Sequence, residues 1–236
     1  MKKLRNFRNV FANIIIATTL AIIFGVTYAG GVLNVFSKTD TSVLYNGNLS
    51  RNNVTLMFNV YWGNEYIEPI LDILDKNDIV TTFFVGGVWV SKNTDLFNEI
   101  IYRGHEIGNH GYFHKEHENL SYEKNMEEIM MTHKIVEEVG GIEMDLFAPP
   151  SGSFSNDTLQ VCENMGYKTI MWTKDTVDWR DKDSDLIYSR AIKNAKGGDL
   201  ILMHPTKCTL DALESIINYY VENDFNLTTV SENIAI

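Results

Sequence analysis

The stretch from Gly104 to His117 reads GHEIGNHGYFHKEH and contains four of the six histidines in the chain. Its first half has the pattern of a short strand, and His110 and His114 follow that strand four residues apart. Gly108 and Gly111 allow backbone turns that a helix would not, so we expect the two histidines at a strand end. Two imidazoles on such a loop are half of the ligand set of a divalent-metal site, although a solvated polar loop would have the same composition.

Segments typical of strands and helices alternate on both sides of this stretch. Seven strands are predicted, at Val54–Tyr61, Thr81–Val85, Glu106–Asn109, Leu146–Ala148, Thr169–Thr173, Leu200–Met203 and Asn226–Val230. Their alternation with helical patterns predicts an α/β fold of parallel βα units with right-handed crossovers. The units either close into a barrel or form a doubly wound open sheet. In a barrel, the functional residues follow the C-terminal ends of the strands.

Composition limits the classes of partner. The 236 residues are 44% hydrophobic, which suffices for one large core. The net charge is −11, and because the four charges before residue 37 are all basic, the rest of the chain carries −15. A domain this acidic repels nucleic acid, so no nucleic-acid partner is expected. The two cysteines, Cys162 and Cys208, exclude a disulfide framework and are expected to be free thiols.

The N-terminal segment predicts export. Four basic residues within the first eight precede the uncharged, largely apolar run Ile14–Val35, which is long enough to cross a bilayer. Residues 1–36 are therefore a membrane anchor or a signal segment, and Thr27–Ala29 is an acceptable cleavage site. The apolar run continues past that site, which favours a retained anchor. Residues 37–53 are predicted to be a polar linker and residues 54–236 the exported domain, anchored outside the membrane or secreted to the cell wall.

Polar, glycine and proline residues follow nearly every predicted strand. In chain order they are Asn59 with Trp62-Gly63-Asn64-Glu65, then His110 and His114, Ala148–Gly152, Asp175–Trp179, and His204-Pro205. General loop polarity explains some of these residues, but five clusters in chain order indicate one site at one end of the sheet.

Four of these clusters resemble the motifs of a known family. HGYFH at residues 110–114 is similar to the H-(S/T)-x-x-H metal motif of the polysaccharide deacetylases, which are carbohydrate esterase family 4 with a NodB-homology domain. Ala148–Gly152 resembles their R-x-P-x-G motif, Asp175–Trp179 their D-x-x-D-W motif, and Leu202–His204 their L-x-H motif. Order and spacing match over residues 54–236. The resemblance implies a distorted (β/α)7 barrel that removes acetyl groups from N-acetylated wall sugars, such as those of peptidoglycan or chitin-like chains.

The resemblance also implies roles for individual residues. His110 and His114 match the ligands of a divalent metal ion, with zinc as the expected metal. Such an ion polarises the amide carbonyl and acidifies a bound water. His204 matches the general acid, and Asp178 matches the carboxylate that orients this histidine and favours its charged form.

Two further positions match family residues that contact the substrate. The backbone N–H of Ser151 falls where the family places an oxyanion donor, and Trp179 would form a wall of the sugar pocket. The alternatives are that Trp179 belongs to the core and that His204 is an ordinary histidine at a loop end.

The first motif departs from the family pattern T-F-D-D-G. With Phe58 aligned, the catalytic base becomes Asn59 and the second aspartate, a metal ligand, becomes Val60. An amide cannot accept the proton, and valine cannot bind metal. Ala148 replaces the arginine that pairs with the base. These losses are consistent with each other, because a buried arginine without its carboxylate would cost several kcal/mol.

The sequence therefore leaves two functions open. One is a metal-dependent N-deacetylase, a hydrolase with weakened activity, in which Asn59 offers a carbonyl oxygen to the metal and Glu65 or Glu68 supplies a carboxylate. The other is an inactive glycan-binding or scaffold protein on the same fold. The run FNVYWGNE, which begins at Phe58, also resembles a sporulation-associated branch of the family, whose first motif reads like F-D-x-x-W-G.

Overall fold

The computed structural model describes residues 17–19 and 43–235, and its sheet is built around one long apolar strand. This strand, β2 (Asn53–Val60), is buried along almost its whole length, as its β-branched and aromatic residues predict. Side chains alternate along a strand, so Phe58 and Val60 pack in the cluster shared with the helices, while Met57 lies in a separate inner cluster. Asn59 is on the same side of the strand as Met57.

The other described strands extend the sheet on both sides of β2, and every pair is parallel. The order is β1-β6-β5-β4-β3-β2-β8-β7, and β9 pairs with the start of β2. These strands are β1 (Val43–Leu44), β3 (Thr82–Val85), β4 (Glu106–Asn109), β5 (Leu146–Phe147), β6 (Lys168–Ile170), β7 (Lys174–Asp175), β8 (Leu200–Met203) and β9 (Asn226–Leu227).

Amphipathic helices cover one face of the sheet. In the first of them, Ile67, Ile70, Leu71 and Leu74 recur at helical spacing and are buried against the strands. The helices within residues 43–235 are α1 (Asn64–Lys76), α2 (Gly87–Lys92), α3 (Thr94–Tyr102), α4 (Tyr122–Gly140), α5 (Asn156–Asn164), α6 (Ser184–Ile192), α7 (Lys207–Glu222) and α8 (Val230–Ile234).

The sheet is curled. Ile170 from β6 and Leu200 from β8 belong to the same inner apolar cluster, although four strands lie between β6 and β8 in the sheet order. Only a sheet bent toward a barrel brings such residues together. The predicted α/β fold is thus confirmed as a distorted, incompletely closed barrel, since no hydrogen-bonded pair joins β1 to β7 among the described strands.

The predicted fifth strand is two short strands. The backbone N–H of Met171 donates to the carbonyl of Leu44 on β1, whereas that of Thr173 donates to Leu200 on β8. The chain therefore changes partner within three residues, which no local periodicity reveals. The predicted seventh strand is likewise shorter, because the N-cap hydroxyl of Thr229 starts α8.

Part of the predicted linker belongs to the fold. Val43 and Leu44 pair with β6, and the backbone N–H of Gly47 donates to the carbonyl of Gly198 at 2.7 Å. The linker prediction for residues 37–53 is therefore wrong from residue 43 onward, because two apolar residues in a polar stretch suffice to add an edge strand.

The predicted anchor or signal segment, residues 1–36, lies outside the described residues except for 17–19. Within the described part of the chain, no helix combines the length and apolarity that a membrane span requires.

Three residues that were singled out by type, two cysteines and a histidine, lie outside the candidate site. Cys162 and Cys208 are buried free thiols, as predicted. His133 on α4 is half-buried and its Nδ1 lies 2.7 Å from the hydroxyl of Tyr167, so it is a structural histidine.

His105 is a buried histidine that is neutral in the folded state at pH 7. Its Nδ1 accepts a hydrogen bond from the backbone N–H of Thr81 at 3.2 Å, and its Nε2 has no partner among the described residues. Burial lowers its pKa from 6.5 to about 4.

We predict that the His105→Gln variant is less sensitive to acid than the wild type. The unfolded chain binds a proton at His105 below pH 6.5, whereas the folded chain does so only near pH 4, so stability falls as the pH drops through this window. Glutamine keeps an acceptor but cannot be protonated. Melting temperatures measured from pH 7 to 4 should fall less steeply for His105→Gln; equal slopes would contradict this role.

Candidate active site

A cavity of about 640 Å³ opens where the strands of the curled sheet end. Among its lining residues are five of the positions that the family motifs selected, together with the departing position Asn59; these six are Asn59, His110, His114, Ser151, Trp179 and His204. Asn59 lies near the C-terminal end of β2, and the other five residues lie in the connections that follow β4, β5, β7 and β8, which places all six at one rim of the barrel. We call this space the histidine cavity.

Asp178 lies directly behind His204. Its carboxylate accepts from the backbone N–H of His204 at 2.6 Å and lies 2.7 Å from the imidazole Nδ1. The hydroxyl of Thr209 also donates to it, and the side chain is fully buried. Because Nδ1 is held by the carboxylate, Nε2 is the nitrogen available to the cavity. Such a pair is suited to move a proton at Nε2.

His110 and His114 lie side by side, with ring centroids 5.0 Å apart. Nδ1 of His110 lies 2.7 Å from the carbonyl oxygen of Ala148, so this nitrogen donates and Nε2 keeps its lone pair. Burial lowers the pKa of both histidines below 6.5, and the effect is larger for fully buried His110. Both are therefore neutral at pH 7, the form that binds metal.

A buried carboxylate holds the loop between the two histidines. Oε2 of Glu128, on α4, accepts from the backbone N–H groups of Tyr112 and Phe113 at 2.9 and 2.7 Å. Its other oxygen lies 2.9 Å from Nζ of Lys115. The loop needs this support because the backbone of His114 has a positive φ of 54°. Glu128 was not predicted as a site residue, because only its place on a helix is evident from the sequence.

Ser151, which follows β5, and Trp179, which follows β7, both line the cavity. Ser151 has a φ of 56°, in a 3₁₀ turn between Pro150 and Gly152, and its side chain is exposed. Trp179 is 54% exposed, so the alternative that it belongs to the core is wrong. Trp62 and Trp172, which the motifs did not assign to the pocket, line the same cavity.

Successive side chains of β2 point to opposite faces of the sheet, so the two replaced residues of the first motif, Asn59 and Val60, lie in different surroundings. Asn59 faces the histidine cavity, and its Oδ1 is buried with no hydrogen-bond partner among the described residues. Val60 is fully buried in the cluster under the helices and does not line the cavity. An aspartate at position 60 would place a charge in that apolar cluster, which is strongly unfavourable. Ala148 is also fully buried, so the position that holds arginine in the family motif carries no charge here.

The suggested substitute carboxylates are not in the histidine cavity. Glu65 lines a neighbouring cavity and Glu68 is exposed on α1. The carboxylate that does line the histidine cavity is Asp175, the first residue of the D-x-x-D-W motif. Its Oδ1 accepts from the backbone N–H of Val177 at 2.8 Å, which fixes the turn before Asp178.

A divalent metal ion such as zinc needs several nitrogen, oxygen or sulfur donors around one point. No group of three or more histidine, cysteine, aspartate or glutamate side chains suited to a metal exists within the described residues. Two neutral imidazoles and the unpartnered amide oxygen of Asn59 nevertheless line one cavity. Two nitrogens and one oxygen are suitable ligands for a divalent ion such as zinc. All three are neutral, so they offset less of the ion's charge than a ligand set with a carboxylate would.

Comparisons with known proteins agree with the motifs. Residues 46–170 match the model of the family described as polysaccharide deacetylase. The chain is 38% identical over 189 residues to the uncharacterized protein YlxY of Bacillus subtilis, which covers 80% of this chain and 59% of that protein. It is 32% identical to a peptidoglycan-N-acetylglucosamine deacetylase of Bacillus cereus, over 71% of this chain and 81% of that enzyme.

Solved structures show the same fold. Wild-type BA3943 of Bacillus anthracis, described as a CE4 family pseudoenzyme, is 34% identical, with a TM-score of 0.81 over 83% of this chain and 70% of that one. A mutant of that protein, described as having restored enzymatic activity, matches with the same TM-score at 32% identity over 83% and 72% of the two chains. By family model, sequence identity and fold, this chain belongs to the polysaccharide deacetylase family.

Proposed function

We propose that this protein binds N-acetylated cell-wall glycan in the histidine cavity and that position 59 prevents the hydrolysis typical of its family. The observation that carries the proposal is the side chain of Asn59, whose amide oxygen is buried and unpartnered among the cavity residues. An amide at this position accepts hydrogen bonds but cannot take a proton from water.

Several features of the cavity support glycan binding. Trp62 and Trp179 are 43% and 54% exposed at its rim, and such aromatic surfaces with a few fixed polar groups are typical of binding pockets. The B. cereus relative is named for a peptidoglycan N-acetylglucosamine substrate, and this favours the same class of sugar here. The acidic charge of the chain favours a neutral or cationic glycan over nucleic acid.

Hydrolysis of an acetamide needs a base and an acid. A water molecule must lose a proton as it attacks the carbonyl, and the leaving nitrogen must gain one. Nε2 of His204, oriented by Asp178, is suited to the second task, and the backbone N–H of Ser151 would stabilise the oxyanion. No side chain at position 59 can take the proton from the attacking water, because Asn59 is an amide. General-base catalysis typically contributes about 10²–10⁴-fold, so the rate should be low.

His110, His114 and the amide oxygen of Asn59 would hold a divalent metal ion, with zinc as the expected ion. When bound, the ion supplies a Lewis acid for the acetamide carbonyl. The neutral state of the two imidazoles favours this binding, because protons do not compete for their lone pairs at pH 7.

A slow metal-dependent deacetylase is the second candidate. It is favoured by the intact His204–Asp178 pair and by Asp175, a carboxylate that already lines the cavity. In this case Asp175 would replace the missing base, and its substitution by asparagine would remove the residual rate.

The location follows from the family and the N-terminal sequence. We propose that residues 1–36 direct export and serve as an anchor or a signal segment, so that the deacetylase-like domain meets the cell wall outside the membrane.

We predict that Asn59→Asp creates deacetylase activity. The carboxylate would occupy the cavity position of the base, and the gain in amine release from N-acetylglucosamine oligomers with added zinc or cobalt should be at least about 100-fold over the wild type. His204→Ala in the same background should remove the gained activity. Amine release by the wild type equal to that of Asn59→Asp would refute the assignment of position 59.

We predict that Glu128→Gln weakens metal binding at His110 and His114. The amide loses the charge that holds two backbone N–H groups and Lys115, so the loop is less well fixed. Supporting residues of this kind typically change metal affinity by about 10–100-fold. Cobalt titration followed by absorbance measures the effect. Glu127→Gln, an exposed neighbour paired with Lys124, is the matched control and should bind cobalt like the wild type; equal affinity of Glu128→Gln would exclude the role.

A further inference from the structure

A buried asparagine binds the backbone of the loop that carries His110 and His114, which we call the 110–114 loop. Asn109 ends β4 and is fully buried. Its Oδ1 accepts from the backbone N–H of Gly111 at 2.9 Å. Glu128 binds the N–H groups of the two residues that follow. The two side chains together fix three successive N–H groups of the loop.

The amide of Asn109 also has both of its own N–H hydrogens bound. Nδ2 donates to the backbone carbonyl of Ile129 on α4 at 2.9 Å and to the hydroxyl oxygen of Tyr167 at 3.3 Å. Exchanging the amide oxygen and nitrogen would bring a donor against the N–H of Gly111, so the orientation of the amide is determined by its partners. The position of Asn109 therefore depends on α4 and on Tyr167.

The hydroxyl of Tyr167 needs an acceptor of its own. Tyr167 is buried, and burial raises its pKa to about 12, so the hydroxyl keeps its proton at pH 7. Its oxygen accepts from Asn109 and lies 2.7 Å from Nδ1 of His133. If Nδ1 were also a donor, the O–H would have no acceptor among the described residues, and a buried unpaired hydroxyl is unfavourable. Nδ1 of His133 is therefore the acceptor.

The hydrogen bonds thus run in one direction, from the 110–114 loop to α4. They end at His133, which is half-buried and whose ring packs edge-on against that of Tyr167, with centroids 5.9 Å apart. Ile129 and His133 are one turn apart on α4, so both outer ends of the network belong to the same helix. A rigid element outside the histidine cavity is thereby connected to the loop.

We propose that Tyr167 and His133 are positioning residues for the 110–114 loop. His133 orients the hydroxyl of Tyr167, the hydroxyl orients the amide of Asn109, and the amide fixes the loop backbone. The inference rests on the proposed function, in which the two histidines of the loop hold a metal ion. It assigns part of the control of that site to a half-buried histidine on α4 that does not line the cavity.

Hydrogen exchange at the backbone N–H of Gly111 tests the proposal without a metal. The exchange rate of this group is measured by NMR in the ¹⁵N-labelled full chain. Tyr167→Phe and His133→Leu should each raise the rate roughly two- to tenfold, the effect of weakening one hydrogen bond. His133→Asn should exchange like the wild type, because its Oδ1 can accept from the hydroxyl in place of Nδ1.

Tyr220→Phe is the matched control for the loss of a buried tyrosine hydroxyl. The hydroxyl of Tyr220 donates to the carbonyl of Ala191 at 2.7 Å, and Tyr220 does not line the histidine cavity. The exchange rate at Gly111 should stay at the wild-type value in this variant. A change that came only from lower global stability would appear in both tyrosine variants.

Cobalt titration followed by absorbance measures the consequence for the metal site. Tyr167→Phe and His133→Leu should bind cobalt roughly two- to tenfold more weakly than the wild type, because the loop that carries both imidazoles is less well fixed. His133→Asn and Tyr220→Phe should bind cobalt like the wild type.

Three results would overturn the positioning role. In the first, the Gly111 N–H of Tyr167→Phe exchanges at the wild-type rate. In the second, Tyr220→Phe changes that rate as much as Tyr167→Phe does. In the third, exchange is faster but cobalt affinity is unchanged. If the wild type binds no cobalt, the proposed metal site fails, while the exchange rates still decide whether Tyr167 and His133 position the loop.

Discussion

The alternation of side chains along the buried strand β2 determines which of its residues pack in the core and which enter the cavity. One side of the strand packs under the helices, and the other side faces the interior of the curled sheet. Asn59 ends on the interior side and enters the cavity, while Val60 ends in the core. The two replacements in the first motif therefore have different consequences. The first removes a proton acceptor from the cavity, and the second contributes to packing.

The other motif residues lie together around position 59. The His204–Asp178 pair, the two loop histidines and the Ser151 turn occupy one rim, although three of the loops have residues with positive φ. His114, Ser151 and Val177 have φ values of 54–56°, which is costly, at about 1–3 kcal/mol for each residue. Glu128 and Asp175 offset this strain by binding the backbone N–H groups of two of these loops. These hydrogen bonds hold two of the loops that border the cavity.

Much of this arrangement could be predicted from the sequence, and the exceptions have physical causes. Strand periodicity located β2, β3, β4 and β8, and chain order predicted that residues 110, 114 and 204 meet at one rim. The split of β6 from β7 depends on a change of hydrogen-bond partner, which leaves no local pattern. Glu65 looked like a substitute base because it follows the first strand, yet the helix start at Asn64 turns it into the neighbouring cavity. Glu128 was not predicted, since its role depends on a contact between α4 and a loop sixteen residues earlier.

We propose that the cavity binds an N-acetylated glycan without hydrolysing it. In the experiment, the wild-type protein is incubated with N-acetylglucosamine oligomers and zinc, and the complex is separated from free oligomer. The mass of the oligomer recovered from the complex is then determined. We expect the protein to retain the oligomer and the recovered oligomer to carry every acetyl group. Recovery of oligomers that have lost acetyl groups, or failure of the protein to retain any oligomer, would contradict it.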